Sequence, residues 1–561
     1  MPFSFHERRP LIDRLRSDHF DVLVVGGGVT GAGLARDAAL RGLRVALVEM
    51  DDFSSGTSSR SSKLIHGGLR YLEQGDVGLV FEAVRERQRL MKLAPHLAKA
   101  QSFIVPVFKG SRHSVLLLDL GLTLYDMLAA GAGVIRHRAM RAARLLEHEP
   151  LLRDATLKGG VRYYDAQTDD VRLVMANLRD AHACGAVCVS RLRFEEPTLT
   201  DGRISGVKLK DLTTGETLEA RCDSVVLAAG PFADDAMRRF LGREPKRPII
   251  RPSKGVHIVV PRNRLPLSEA ILMTADDGRV VFALPWPHAS VIGTTDTQFD
   301  GELSNPRCTF DDVDYLLACA NSHLVAKGAP LGREDVVSTW SGIRPLAIGT
   351  RDDEGKTYNT SREHVIHADP AGLVMIAGGK LTTYRVMAAE GLEAAVNFLP
   401  PARQDGLSPC VTHERPLPGA DNLPHGRAPL ERFAQRLADS RRCSLSLAEH
   451  LTQTYGSDAE AVLACCEAND DGARQVVTGC PVRWGEVDWV MRNEAPLTLV
   501  DLAVRRLPLY YIAGDRLLTV VDALAARMTD FFGEGDAEAL IAGLTQWIED
   551  NRPYAPDGSG S

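Results

Sequence analysis

The stretch "FDVLVVGGGVTGAGLARDAALRGLRVALVEMDD", Phe20–Asp52, decides the fold. An apolar run (Val22–Val25) enters a glycine turn, about thirteen residues of helical pattern follow, and a second apolar run (Val45–Val48) ends on an acid, Glu49. That order is one βαβ unit. Gly26, Gly28 and Gly31 satisfy GxGxxG, with Gly33 leaving room for helix–strand contact. Strand, helix and terminal acid fall where dinucleotide binding needs them: the helix N-terminus faces a pyrophosphate beside Thr30, and the carboxylate reaches a ribose hydroxyl.

Working outward, 561 residues exceed one ordinary core and predict several domains. Apolar residues make up 44% and charged residues 25%, the balance of a globular chain rather than a disordered or membrane-bundle one. The net charge of −7 provides no field for a polyanion, so nucleic acid is not expected as a partner. Ten cysteines without a CxxC pair read as reduced thiols, and neither cysteines nor histidines show metal-ligand spacing; no metal is expected. The charged opening "MPFSFHERRPLIDRLRSDHF" lacks the apolar core of an export signal.

Downstream of the βαβ unit, "SVVLAAGPFADD" is a buried strand entering a small-residue turn. There Ala229 and Gly230 either admit a cofactor or form an ordinary corner. Alternating segments from Ile249 to Phe299, with a hairpin signal at Asp276–Gly278, predict an antiparallel sheet over a site. "GLVMIAGGKLTTYRVMAAEGLEAAV" (Gly372–Val396) returns to strand, Gly-Gly turn and helix, so the first domain is completed by distant chain. After residue 412 the pattern is helical, with Gly456 ending one helix and a capping box at Ser457–Glu460 starting the next.

The chemistry concentrates in "TSSRSSKLIHGGLRYLE", Thr57–Glu73. Its serines either wrap phosphate and cofactor edges or form a solvated loop. Together with "GGGVTGAG", "VVLAAGP", "VIGTTD", "SGIRPL" and "GGKLTTYR", this stretch resembles the FAD-dependent, quinone-linked glycerol-3-phosphate dehydrogenases over roughly Asp21–Arg385, with similar C-terminal helices. The resemblance implies a Rossmann-like α/β FAD-binding domain in pieces (20–105, 155–240, 335–400). It also implies an antiparallel-sheet substrate cap (106–154, 241–334) and a C-terminal helical domain (413–552). It further implies noncovalent FAD, sn-glycerol 3-phosphate as reductant, hydride transfer to flavin N5, and ubiquinone as acceptor. A glycerol-3-phosphate oxidase using oxygen, or a flavin-binding sensor without turnover, are the alternatives.

Residue by residue, the resemblance implies that Gly26, Gly28, Thr30, Gly31, Glu49, Thr57, Ser58, Ser62, Lys63, His66, Gly67, Ala229, Gly230, Gly379, Lys380, Leu381 and Thr382 hold the cofactor. Arg70 and Arg362 are expected on phosphate, and Arg344 and Lys380 on substrate oxygens. His66 is the conventional proton acceptor, or else bonds a carbonyl or the flavin. Arg362 can equally be a surface arginine and Arg344 an ion-pair partner. Lys254, Thr295 and Asp296 are secondary candidates, Asp296 either orienting a cation or capping a turn.

The apolar stretch Ser114–Ile135 carries Asp119 and Asp126 and is not expected to span a bilayer. Flanked by Lys109, Arg112, His113, Arg136, Arg138, Arg141 and Arg144, it either lies on anionic lipid, as a monotopic contact with the cytoplasmic face of the inner membrane, or forms a buried helical hairpin. Cytoplasm is the other location, and a homodimer is left open.

Overall fold

The computed structural model describes residues 2–68, 76–128, 135–286, 288–348, 360–361, 364–423 and 426–554. Two sheets organise the first four hundred residues.

The smaller sheet runs His364–Asp369, Leu373–Gly378, Thr217–Leu227, His19–Val25, Val45–Val48, Val187–Val189, and its central pairings are parallel. A crossover through helix Val29–Leu40 joins the first two sequence strands, which pair in parallel. Period-two alternation buries both faces. Val22, Val24 and Leu47 pack against Leu34, Ala38, Val174 and Leu392 of three helices, while Leu23, Ala46 and Val48 face Leu11, Ile12 and Leu15 of helix Arg8–Ser17. That helix gives the opening charged segment a structural place.

The larger sheet runs Thr360–Ser361, Ser338–Ile348, Ile250–Pro261, Ala289–Gly293, Val280–Trp286, Ala270–Thr274, Lys99–Phe108, Leu157–Gln167, Leu64–Ile65. Its pairings among the described residues are antiparallel except Ala270–Thr274 with Lys99–Phe108. The hairpin expected at Asp276–Gly278 joins Ala270–Thr274 to Val280–Trp286. Five segments expected wholly or mostly in the nucleotide domain, Leu64–Ile65, Lys99–Phe108, Leu157–Gln167, Ser338–Ile348 and Thr360–Ser361, lie in this sheet instead. Most of their pairing partners are remote in sequence, and alternation alone does not name a partner.

From residue 427 onward the chain is helical, including Arg427–Arg441, Leu445–Tyr455, Trp484–Asn493, Val521–Phe532 and Ala537–Asp550. Gly456, at φ +63°, ends helix Leu445–Tyr455 as expected. The Ser457–Glu460 capping box does not form: Ser457 sits in a 3-10 turn and its N–H donates to Gly419 O at 2.8 Å. Tertiary contact there outweighs a local cap.

A buried charge cluster joins this helical domain to the nucleotide domain. Asp52, 1% exposed, accepts Arg505 Nε at 2.6 Å and both Arg506 Nη atoms at 2.7 Å. Asp501 accepts Arg191 Nη2 at 2.8 Å and also pairs with Arg505. Stranding one member of such a cluster leaves an uncompensated buried charge. Asp52→Ala is expected to lower unfolding free energy by about 3–5 kcal/mol, measured by denaturant titration of the apoprotein.

Candidate functional site

Both sheets end at one seam, where two connected clefts lie. The first, about 1310 Å³ when the space open to solvent is counted, lies beyond the C-terminal ends of the parallel strands, the usual position for a ligand in an open α/β sheet. Gly26, Gly28, Thr30, Glu49, Thr57 and Ser58 line one side of it. Ala229, Gly230, Gly379, Lys380 and Leu381 line the other. Gly26 has φ +114°, and a Cβ there would lie 2.4 Å from Ala228 O, so only glycine lets these two walls meet. Gly28 begins helix Val29–Leu40, aiming its N-terminus into the cleft. Gly31 lines no cleft; it packs against Gly26, where a Cβ would strike the carbonyl oxygen.

Glu49 ends its strand with the carboxylate accepting Gly27 N–H at 2.6 Å and Asp51 N–H at 2.8 Å. Withdrawal from water, opposed by the Gly27 hydrogen bond, pushes its pKa up to about 7.

The second cleft, about 930 Å³, shares Thr57, Ser61, Pro345 and Gly379–Leu381 with the first and reaches the larger sheet. Ser62, His66, Arg344, Lys380 and Thr382 line it. Arg344 donates to Asp296 Oδ1, Thr294 Oγ1 and Thr295 O, each at 3.1 Å. Asp296 therefore orients a cation, one of the two readings its sequence position allowed, and it also accepts Ser253 Oγ at 2.5 Å. Thr382 Oγ1 lies 3.1 Å from both the N and the O of His66.

His257, in strand Ile250–Pro261, was not singled out by sequence. Its Nε2 lies 2.8 Å from Ser62 Oγ, its ring stacks on Trp340 at 4.9 Å, and it faces the second cleft. Burial, then the charges of Arg344 and Lys63, push its pKa down to about 3, so the imidazole is neutral. A histidine in an alternating apolar strand looks like a core residue; only pairing with the strand bearing Arg344 exposes its role. Gly255 and Thr294 likewise line this cleft without having been expected there, whereas Ser61, one of the serines expected at the site, lines both clefts.

Several expected residues stand elsewhere. The side chain of Lys63 lines neither cleft: its Nζ is buried 2.5 Å from Asp170 Oδ1, and Asp170 more than offsets the lowering by burial, leaving its pKa raised. Lys254 is paired with Asp312 at 2.7 Å, and Thr295 Oγ1 accepts Val256 N–H at 3.0 Å. Gly67 is buried behind the cleft against Tyr125. Arg70 and Arg362 lie outside the described residues.

Residues 21–385 match the family model described as FAD dependent oxidoreductase, and residues 410–539 match the C-terminal domain of alpha-glycerophosphate oxidase. Glycerol-3-phosphate dehydrogenase 2 of Mycobacterium tuberculosis (strain ATCC 25618 / H37Rv) is 40% identical over 496 residues, covering 88% of this chain and 82% of that protein. The chain belongs to the FAD-dependent glycerol-3-phosphate dehydrogenases. Another member, the aerobic glycerol-3-phosphate dehydrogenase of Staphylococcus saprophyticus, is 34% identical over 94% of each chain. The solved glycerol-3-phosphate dehydrogenase of Bacillus halodurans, complexed with FAD, superimposes at a TM-score of 0.78 with 31% identity and 98% coverage of both chains. L-alpha-glycerophosphate oxidase of Mycoplasma pneumoniae, at 17% identity and a TM-score of 0.52, shares the fold; the match covers 68% of this chain and 95% of the oxidase.

FAD is this family's cofactor, and the first cleft fits it: a glycine wall a Cβ would fill, a helix N-terminus for phosphates and a carboxylate for ribose. Ribose hydroxyls donate to an ionised carboxylate, so FAD binding is expected to tighten as pH rises through 7, at most about tenfold per unit, with proton release. Apoprotein stability is expected to move the opposite way. A carboxyl whose pKa rises from 4.5 to about 7 on folding contributes stability below 4.5 that is lost as pH rises through 7. FAD titrations and melts between pH 5 and pH 8 test both trends (about that window, by linkage); Glu49→Gln should flatten them.

Proposed function

We propose that this chain oxidises sn-glycerol 3-phosphate to dihydroxyacetone phosphate, passing the electrons through FAD to ubiquinone while resting on the cytoplasmic face of the inner membrane. One observation carries the reaction: a cleft holding Arg344, Lys380 and a neutral imidazole shares its wall with the dinucleotide cleft. When bound, FAD supplies a two-electron acceptor at N5 for the hydride leaving substrate C2.

The chain's own groups do the rest. Arg344, fixed by Asp296 and by oxygens of Thr294 and Thr295, presents its charge toward the substrate oxygens. Lys380, following the Gly378–Gly379 turn, adds a second cation. Arg70 and Arg362 remain assigned to the phosphate by the family motifs. Of the two imidazoles, we assign the proton to His257, held by Ser62 on one edge and Trp340 beneath. Neutral before substrate arrives, it gains basicity from the incoming phosphate dianion and can take the C2 hydroxyl proton.

Anaerobic mixing with sn-glycerol 3-phosphate should bleach the flavin, and a ubiquinone analogue should restore it faster than oxygen does. A flavin left oxidised would favour the sensor reading, and rapid peroxide formation the oxidase reading. His257→Asn should slow bleaching by about 10²–10⁴-fold, more than His66→Asn.

Membrane docking is supported by helix Val115–Leu128, which turns Leu116 (79% exposed), Leu120 (68%) and Met127 (67%) to solvent instead of forming a buried hairpin. Arg112, Arg136, Arg138 and Arg141 are exposed around it, while Asp119 and Asp126 both face His137 at 3.1 and 2.8 Å. No helix among the described residues is long and apolar enough to cross a membrane. An apolar face ringed by cations suits the surface of an anionic bilayer. Cosedimentation with phosphatidylglycerol vesicles should fall sharply when Arg136, Arg138 and Arg141 become Glu, and equally for Leu116→Ser with Leu120→Ser; unchanged binding would remove this helix from contact.

A further inference from the structure

Although helix Val115–Leu128 turns several leucines outward, its Tyr125 is 1% exposed and reaches inward to Gly67, behind the second cleft. The Tyr125 hydroxyl donates to Asp165 Oδ1 at 2.7 Å and accepts from Gly67 N–H at 3.1 Å and Arg87 Nη1 at 3.0 Å. A phenol offers one proton and two lone pairs, so these partners use every capacity it has. Its rotation is therefore fixed. Arg87 also pairs with Asp165, closing a buried triangle around the hydroxyl. Burial, reinforced by Asp165, holds the phenol pKa well above its ordinary value, and the proton stays in place.

Gly67 directly follows His66, which lines the second cleft. A Cβ at Gly67 would stand 2.4 Å from the Tyr125 hydroxyl, so the turn rests on this phenol without a side chain between. On its other side the same turn is held by Thr382 Oγ1, 3.1 Å from both the His66 nitrogen and its carbonyl oxygen. The His66–Gly67 turn is clamped between the loop that carries Lys380 and an outer helix.

We propose that Tyr125 is a positioning residue for substrate: its hydroxyl fixes the His66–Gly67 turn at the height the phosphorylated alcohol needs. The inference rests on reading the second cleft as the glycerol 3-phosphate site. Without the phenol oxygen, Gly67 N–H is left with Asp165 Oδ1 at 3.4 Å, too long for a good bond, and the turn relaxes toward it. Tyr125 lines neither cleft, so its loss should alter substrate affinity while sparing the chemical step.

Stopped-flow reduction of the FAD-loaded enzyme by sn-glycerol 3-phosphate, without oxygen, reads both quantities. In Tyr125→Phe the half-saturating substrate concentration should rise about tenfold or more, with the limiting reduction rate within about threefold of wild type and FAD content unchanged. Asp165→Asn keeps the phenol ring but removes the carboxylate that orients its proton, and should shift the same quantity. The double variant should be no worse than the weaker single one. An unchanged half-saturating concentration in both single variants, or a loss explained wholly by lost FAD and a lower Tm, overturns the proposal while leaving the substrate assignment intact. A wild-type flavin that glycerol 3-phosphate does not reduce overturns both.

Discussion

The short turn after the second strand carries two carboxylates that point opposite ways, and the architecture depends on both being satisfied. Glu49 faces the glycine loop and accepts Gly27 N–H; Ser54 N–H returns a bond to Gly27 O at 3.0 Å. Asp52 faces away and is closed by Arg505 and Arg506 from more than four hundred residues later. Burying a carboxylate without a partner costs several kcal/mol in order of magnitude, so the helical domain is no appendage. It supplies the cations that allow the nucleotide turn to be buried at all. Phe3 completes the enclosure, its ring centroid 5.7 Å from that of Phe53, whose side chain lies under Gly27.

The first βαβ unit was legible because its signals are local: an apolar period, glycine spacing, and an acid at a strand end. Val45–Val48 was read to the residue. Sheet membership was less legible, since Lys99–Phe108 carries strand character but no mark of the sheet it joins; only its register with Leu157–Gln167 decides that. Local propensity also failed where tertiary contact competes, as at Ser457. The clefts' residues follow the same division. Glycines and small residues that shape a wall declare themselves in sequence, whereas the fate of a charge depends on partners elsewhere. Lys63 and Lys254 stand in or beside the motifs, yet each is neutralised by an aspartate that no spacing rule links to it. His257 erred the other way, a polar residue in a core-like strand that faces the site.

What holds the seam together explains the crowding of donors in Thr57–Lys63. Thr57 Oγ1 donates to Ile343 O at 2.6 Å, Ser58 Oγ accepts Val29 N–H at 3.0 Å, and Ser61 Oγ donates to Asp170 at 2.7 Å. Ser62 meets His257, and Trp340 Nε1 donates to Ser61 O at 3.1 Å. These hydroxyls are spent mainly on protein, tying the strand that leaves the smaller sheet to two strands of the larger one. A loop free to solvate its serines would let the sheets shift against each other. A displacement of about 1 Å between two reacting groups can cost about 10²-fold in rate. The serines thus act on chemistry through rigidity: they fix the distance between a cleft built on parallel strands and one built on antiparallel strands. With Ser58 already taking the Val29 N–H, the groups left to face a cofactor phosphate are the backbone N–H groups that follow it in the first turn of helix Val29–Leu40.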